Sequence, residues 1–357
     1  MHTYNEDTHI ARALEDKLVL LYFLKRLLML IPVLFCVSVL VFLIMRVFSP
    51  DPALIVLGQH ATTEAINAWR ESMGFNEPLL TQYYNYMVAM FNGDFGTSFF
   101  TNTPVTTEIM ARLPATIELA VLAIIIASIV GVIFGVISAV KKNSLIDNFT
   151  MTTALIGVSM PVFWLGMLLI ILFSGILHWV PSGGRIDTLM RPYDGTGFYL
   201  YDTLIIGDFE AFFNALQHAA LPAITLACYS MAIITRMTRS SMLDVLHQDY
   251  IRTAKAKGLP PVKVIGRHAF RNALLPIITV IGLQFGGLLS GAVLTETVFS
   301  WPGIGAYSVE SIMRSDFPVI QAVVLIVAFI FVFMNLVVDL LYAALDPRVK
   351  YGAEGQN

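Results

Sequence analysis

The chain has 357 residues, 57% hydrophobic and 13% charged, with a formal net charge of −3 and a mean hydropathy of +0.73. A soluble domain is about 25% charged and about 45–50% apolar, so too little polar material is present to cover a globular enzyme. Disorder and a coiled coil are excluded by the same figures, which leaves a polytopic membrane protein.

In chain order, six stretches free of Asp, Glu, Lys and Arg are long enough to cross a bilayer, which takes about 20 apolar residues. They are 27–45, 119–140, 148–177, 211–235, 272–295 and 317–338, the last resuming after Asp339 as far as Leu345. The expected class is all-α with six transmembrane helices. The expected division is a cytoplasmic tail (1–17), a first helix (18–48), an extracytoplasmic segment (49–113), a membrane core (114–345) with a cytoplasmic loop (236–271), and a tail (346–357).

Basic residues set the orientation. Arg12, Lys17, Lys25 and Arg26 precede the first span, and Lys141 and Lys142 separate the second from the third. Arg236, Arg239, Arg252, Lys255, Lys257, Lys263, Arg267 and Arg271 lie between the fourth and fifth, and Arg348 and Lys350 follow the last. The alternate loops hold only Arg70, Arg112, Arg185, Arg191 and Arg314, with Arg46 at the outer end of the first span. Both termini are therefore expected inside. The first seventeen residues are polar and no small-residue cleavage site follows the first span, which reads as a retained anchor. Cys36 and Cys228 sit in apolar runs with no CxxC pair, so no redox or cysteine metal site is expected.

The segment 49–113 predicts two short helices. Thr63 caps one with Ile66, Trp69 and Met73 on a stripe, stopped by Gly74; Pro78 opens another with Leu80, Tyr84, Met87 and Phe91 on one face, ending at Gly93. Two compatible readings follow: a docking surface for an external protein, centred on Trp69 and Tyr84, or an aromatic belt on the headgroups. The second external segment, 178–210, is rich in Gly and Pro and carries five acids; gating, partner contact and a solvated connector all fit it.

The loop 236–271 is the most informative. Met242, Leu246, Tyr250 and Ala254 recur at helical spacing; Gly258 ends that helix and Pro260-Pro261 blocks its continuation. Val262, Ile265 and Ala269 mark a further short helix. A helix–break–helix unit pinned at both ends by spans is mounted to transmit force, and it reads as a seat for a partner protein. Lipid headgroups would account for its basicity alone, and a DNA reader would lack a linker to leave the membrane, so no nucleic acid is expected.

No phosphate loop of the G-x-x-x-x-G-K-[ST] type occurs and no His/Cys/carboxylate cluster suggests a metal. The chain is expected to bind no cofactor and to catalyse nothing itself, taking energy from a partner or an ion gradient. Glu118, Glu296, Asp339 and His218 are the ionisable candidates near the spans, read as structural or pathway-lining. Gly282, Gly286, Gly287, Ser290 and Gly291 line one side of the fifth span, and Gly131 and Gly135 of the second, suiting close packing or a solute pathway.

The run from Arg236 to Leu243, followed by Asp249-Tyr250-Ile251-Arg252-Thr253-Ala254-Lys255-Ala256-Lys257-Gly258-Leu259, resembles the cytoplasmic signature of binding-protein-dependent ABC importer permeases. Thr295-Glu296-Thr297-Val298-Phe299-Ser300-Trp301-Pro302-Gly303 resembles the dipeptide/oligopeptide/nickel branch. Gly93-Asp94-Phe95-Gly96-Thr97-Ser98 and Leu113-Pro114-Ala115-Thr116-Ile117-Glu118-Leu119 fit the same branch, nearest the first-permease type of dipeptide systems. The general family pattern begins E-A-A-x-x-x-G; here Gly258 fits, while Arg252-Thr253-Ala254 replaces E-A-A, a departure the peptide branch shares.

The resemblance spans about residues 24–348. It implies a type I ABC importer permease fold in a prokaryotic plasma membrane. It implies a second homologous permease, two cytoplasmic ATPases holding ATP and Mg, and an extracytoplasmic peptide-binding protein, all in membrane lipid. It makes Asp249, Tyr250, Arg252, Thr253, Ala254, Lys257 and Gly258 the ATPase-coupling residues, with peptide as cargo. Nickel, glutathione or antimicrobial peptides are the alternative cargoes, and an ion-driven carrier is the rival class.

Overall fold

The computed structural model describes residues 27–48, 51–58, 60–190 and 195–345, excluding the side chains of 290, 291, 339 and 341–345. The two expected tails, the first part of the 18–48 helix and the Asp339 side chain lie outside that set. Among the described residues the chain is helical, with one isolated bridge between Thr97 and Pro104.

Helix α1 (Leu27–Phe48) ends in a π-turn. The external segment holds α2 (Pro52–Leu57), α3 (Thr63–Ser72) and α4 (Leu79–Phe91). Asp51 and Thr62 cap the first two of these through side-chain oxygens, so the cap of α3 falls one residue before Thr63. Then come α5 (Val105–Val140), α6 (Leu145–Ser159), α7 (Val162–Leu169, continued by a π-turn Ile170–Ile176), α8 (Tyr199–Ile206) and α9 (Phe209–Leu246). The cytoplasmic α10 (Asp249–Ala256) and the single turn α11 (Pro261–Lys263) follow. A π-turn (Val264–Phe270) leads directly into α12 (Arg271–Gly291). On the external side α13 (Val293–Val298) and α14 (Ile304–Arg314) precede α15 (Phe317–Leu345).

Helices α5 and α9 have 36 and 38 residues. At about 1.5 Å per residue each is roughly 55 Å long, well beyond a hydrocarbon core of about 30 Å. Each therefore overhangs its apolar run, α5 on the external side over 105–118 and α9 on the cytoplasmic side over 236–246, so Arg236 and Arg239 belong to α9 rather than to a loop. The two helices pack along a seam of small residues. Ala115, Ala120, Ala123 and Ala127 of α5 meet Ala219, Ala223 and Ala227 of α9, all buried. A methyl group added at Gly131 would lie 3.0 Å from Ile234, and one at Gly135 2.7 Å from the Thr235 carbonyl. Side chains this small let backbones approach where lipid offers no hydrophobic drive for association. The outward surface is apolar and open, as at Ile31, Ile129 and Phe329.

The structure departs from a single helix over 148–177. It breaks after Ser159, and α6 and α7 diverge by 106°. Pro161 lacks the N–H a continuing helix needs and disfavours the helical region for Met160, which sits at ψ 135°. The two halves still make one crossing. Asp147 pairs with Arg239, Gly157 faces Cys228, Gly166 faces Thr225 and Gly184 faces His218. The segment thus climbs α9 monotonically from its cytoplasmic to its external end. With α1, α5, α9, the helix running Pro261–Leu289 and α15, the candidate crossings among the described residues number six when the bent pair is taken as one.

Candidate coupling element and external clamp

The cytoplasmic element is bolted to three membrane helices. Ile251 and Ala254 of α10 are buried with Met242 of α9, Ala139 of α5, Ala273 and Ile277 of α12, and Val264 and Ala269 of the π-turn between. The opposite face of α10 is polar and open: Asp249, Tyr250, Arg252 and Thr253 are exposed, with Lys257 and Gly258 beside them. A 3.5 Å pair joins Arg252 to Asp249 in full solvent and contributes little.

The sequence predicts one stripe of Met242, Leu246, Tyr250 and Ala254, and here the structure differs. The helix breaks at His247–Gln248, and Gln248 is extended at φ −72°, ψ 148°. The register restarts there, so Ile251 joins Ala254 inside and Tyr250 turns outward, 43% exposed. The turn after α10 depends on Gly258 at φ +75°, where an added Cβ would touch nothing within 4 Å. Only backbone strain opposes a side chain at that position.

Next to this element lies a polar knot that spacing along the chain does not reveal. Asp147 takes two bonds from Arg239, 2.7 Å from Nε and 2.8 Å from Nη2. It also accepts from Ser138 Oγ and from the Asn143 amide. Asp147 is buried, and the knot ties the end of α5 and the start of α6 to α9. Such an acid beside a span looks solvated in sequence, because its partner lies 92 residues away.

At the external end, the two signature runs that carry the family resemblance lie against each other. Glu296 is fully buried. It accepts from Thr116 Oγ1 at 2.7 Å and from the Ala306 amide at 2.9 Å, in the first turn of α14. Thr116 in turn accepts from the Ile304 amide at 2.9 Å, and Trp301 Nε1 donates to the Ala115 carbonyl at 2.9 Å. An acid at a helix N-terminus meets otherwise unpaired amides and the positive end of the dipole. Gly303 and Gly305 leave the space its carboxylate occupies. Glu296 therefore fastens α13, α14 and α5 together.

Arg185, one of the few external bases, is buried too. Its Nε and Nη2 donate to Glu118 Oε2 at 3.0 and 2.6 Å, and Nη2 donates to the Gly197 carbonyl at 2.7 Å. The Leu200 amide donates to Glu118 Oε1, and the guanidinium stacks 3.8 Å over Tyr199. His218 Nδ1 lies 2.9 Å from the Gly183 carbonyl. Asp202 accepts from Thr196 and Gly197. Residues 183–185 and 196–202 are thus clasped to α5 and α9.

In the small-residue row of α12, a methyl group at Gly282 would lie 2.7 Å from Val338 of α15, so this position is packed. Gly286 has Asn335 and Met334 at 3.7 Å from the same test position, and Gly287 has nothing within 4 Å. The surroundings of Ser290 and Gly291 lie outside the described set. In the external layer, Trp69 is packed on Phe75 and Phe99, at ring centroid distances of 5.4 and 5.7 Å. Tyr83 and Tyr86 hold α4 on Phe42 of α1, and burial pushes the Tyr86 hydroxyl pKa up. Leu80, Tyr84 and Phe91 are left outward, Tyr84 68% exposed.

A family model described as "Binding-protein-dependent transport system inner membrane component" matches residues 131–351, and its N-terminal companion matches 19–120. A dipeptide transport system permease protein of Alkalihalophilus pseudofirmus is 49% identical over 93% of the chain and 100% of its own length. A di/tripeptide transport system permease protein of Pseudomonas aeruginosa is 44% identical over 92% of the chain and 98% of its own. A glutathione transport system permease protein of Escherichia coli is 40% identical over 92% and 99%.

Proposed function

The chain belongs to the binding-protein-dependent transport system inner membrane component family, and from that premise we propose that it is the permease subunit of an ATP-driven importer of short peptides. It is a multi-pass inner-membrane protein with a permease fold. Peptide as cargo is supported by relatives named for dipeptide and di/tripeptide transport at 44–49% identity. The 40% identity to a glutathione system permease favours small peptidic cargo of wider chemistry as the second reading.

The observation that carries the coupling role is the mounting of α10. Its inner face is continuous with the ends of α5, α9 and α12, and its outer face offers Asp249, Tyr250, Arg252, Thr253 and Lys257 to a cytoplasmic partner. That partner is an ATPase subunit, one of two, which binds ATP and Mg; this chain binds neither. A second homologous permease completes the pathway, and an external peptide-binding protein delivers cargo. Closure of the ATPases on ATP moves α10 and, through its apolar seat, the three helix ends. The spans then pass from inward- to outward-facing, and hydrolysis resets them. Peptide influences this cycle only by favouring one state over the other.

The test is peptide uptake into proteoliposomes holding the assembled complex, with ATP and ion gradients varied separately. Uptake that requires ATP and binding protein is expected. Uptake by this chain alone, without ATP, would overturn the reading in favour of an ion-driven carrier.

A further inference from the structure

Arg46 projects from the outer end of α1 into a cavity of about 420 Å³ bounded also by Trp69, Phe75, Phe99 and Gln321. Its guanidinium lies 3.9 Å over the Phe75 ring, and among the described residues no carboxylate pairs with it. Its Nε is buried without a hydrogen-bond partner. Gln321 of α15 lines the same cavity, is 6% exposed, and its Nε2 is likewise buried without a partner. Two buried donors without acceptors are costly, and since one belongs to a partly buried cation in an aromatic wall, an anionic acceptor answers both.

A second cavity, about 430 Å³, lies deeper along the same pair of helices. Its walls are apolar apart from Ser38: Phe35 of α1, Met87 and Met90 of α4, Phe95, and Leu325 and Phe329 of α15. From Arg46 to Phe35 the axis of α1 runs about 16 Å, within reach of one acyl chain from its own headgroup. A single occupant with an anionic head and a hydrocarbon tail matches both cavities and their spacing.

We propose that the seam between α1 and α15 binds one anionic glycerophospholipid of the outer leaflet, its phosphate on Arg46 and Gln321 and an acyl chain in the deeper cavity. The lipid then ties α1 to the last span. This is independent of which cargo the complex carries.

The test uses the assembled complex extracted in mild detergent, with native mass spectrometry reading bound lipid. Phosphatidylglycerol is expected to stay bound to the wild type. Its occupancy should fall at least tenfold in Arg46→Gln, fall in Met90→Trp, which fills the deeper cavity, and be restored in Arg46→Lys. Complex exchanged into nanodiscs of phosphatidylglycerol or of phosphatidylcholine decides the matter should Arg46→Gln fail to assemble. Equal retention of the zwitterionic lipid would overturn the proposal. So would protection by inorganic phosphate with no lipid adduct, which would make the upper cavity a free-anion site. Efficient crosslinking of a cysteine at Met90 to the second permease would also overturn it, by placing protein over the seam.

Discussion

The two ends of the bundle are held by opposite chemistry. At the external end the fastening is polar and buried: Glu296 with Thr116 and the α14 amides, and Glu118 with Arg185. At the cytoplasmic end the seat of α10 is apolar, with Ile251, Ala254 and Met242 inside and its charges outside. Buried polar bonds are strict about geometry and expensive to break. An apolar seat tolerates small sliding and leaves the polar face of α10 free for another protein. The contrast suits a machine with a fixed external collar and a moving cytoplasmic handle.

The largest expected effect tests the collar. Glu118→Ala leaves Arg185 charged and buried, which costs about 3–5 kcal/mol. Thermal unfolding of the purified complex should drop sharply. Glu118→Leu combined with Arg185→Met should recover most of the loss, because no lone charge remains. A double variant as unstable as the single one would break the contrast, since the pair would then matter for its shape rather than its charge.

Glu296→Gln keeps one carbonyl oxygen and surrenders the other acceptor, so either Thr116 or Ala306 loses its partner. A loss of about 1–3 kcal/mol follows, read in the same unfolding experiment. Transport should fall in step with assembled complex rather than per complex. A variant that is fully stable but inactive would return Glu296 to the transport pathway, which the small-residue row and an acid near a span end also suggest in sequence.

The handle is tested at Gly258. Valine there must adopt φ near +75°, at roughly 1–2 kcal/mol, and nothing nearby is struck. Membrane insertion should be normal. ATPase activity of the assembled complex should lose its response to binding protein, and uptake should fall with it. Gly258→Ala should sit between valine and the wild type. Unchanged coupling in both would detach the turn from function.

How far each end could be read in the sequence follows from the same chemistry. Gly258 was legible because a glycine before Pro260-Pro261 has few other uses. The apolar runs at 119–140 and 317–338 were legible because lipid demands them. The break at Pro161 was masked by a long uncharged run, although proline and the residue before it carried the signal. The collar was not legible as a set of contacts. Glu118 and Arg185 are 67 residues apart, and Thr116 and Glu296 are 180 apart. Nothing local distinguishes them from residues at a wet span end. The inward turn of Ile251 was lost for a different reason: a two-residue break at His247–Gln248 resets the helical phase, and periodicity counted across it assigns Tyr250 to the wrong face.

That reassignment yields the smallest and most selective prediction. Tyr250 is outward and packs on nothing in the apolar seat, so Tyr250→Ala should leave unfolding within about 0.5 kcal/mol of the wild type. Ile251→Ala, by contrast, opens a cavity between α10 and the helix ends, at about 2–5 kcal/mol. If α10 is a docking handle, Tyr250→Ala should still weaken retention of the ATPase subunits during purification, by a few-fold, while Ile251→Ala lowers the amount of folded complex first. Tyr84→Ala supplies the external counterpart, because Tyr84 is exposed whereas Trp69 is packed on Phe75 and Phe99. It should weaken capture of the binding protein without lowering stability or basal ATPase activity. Loss of stability in Tyr250→Ala with ATPase retention intact would show that the polar face of α10 turns inward in the assembled protein, and the distinction between collar and handle would fall.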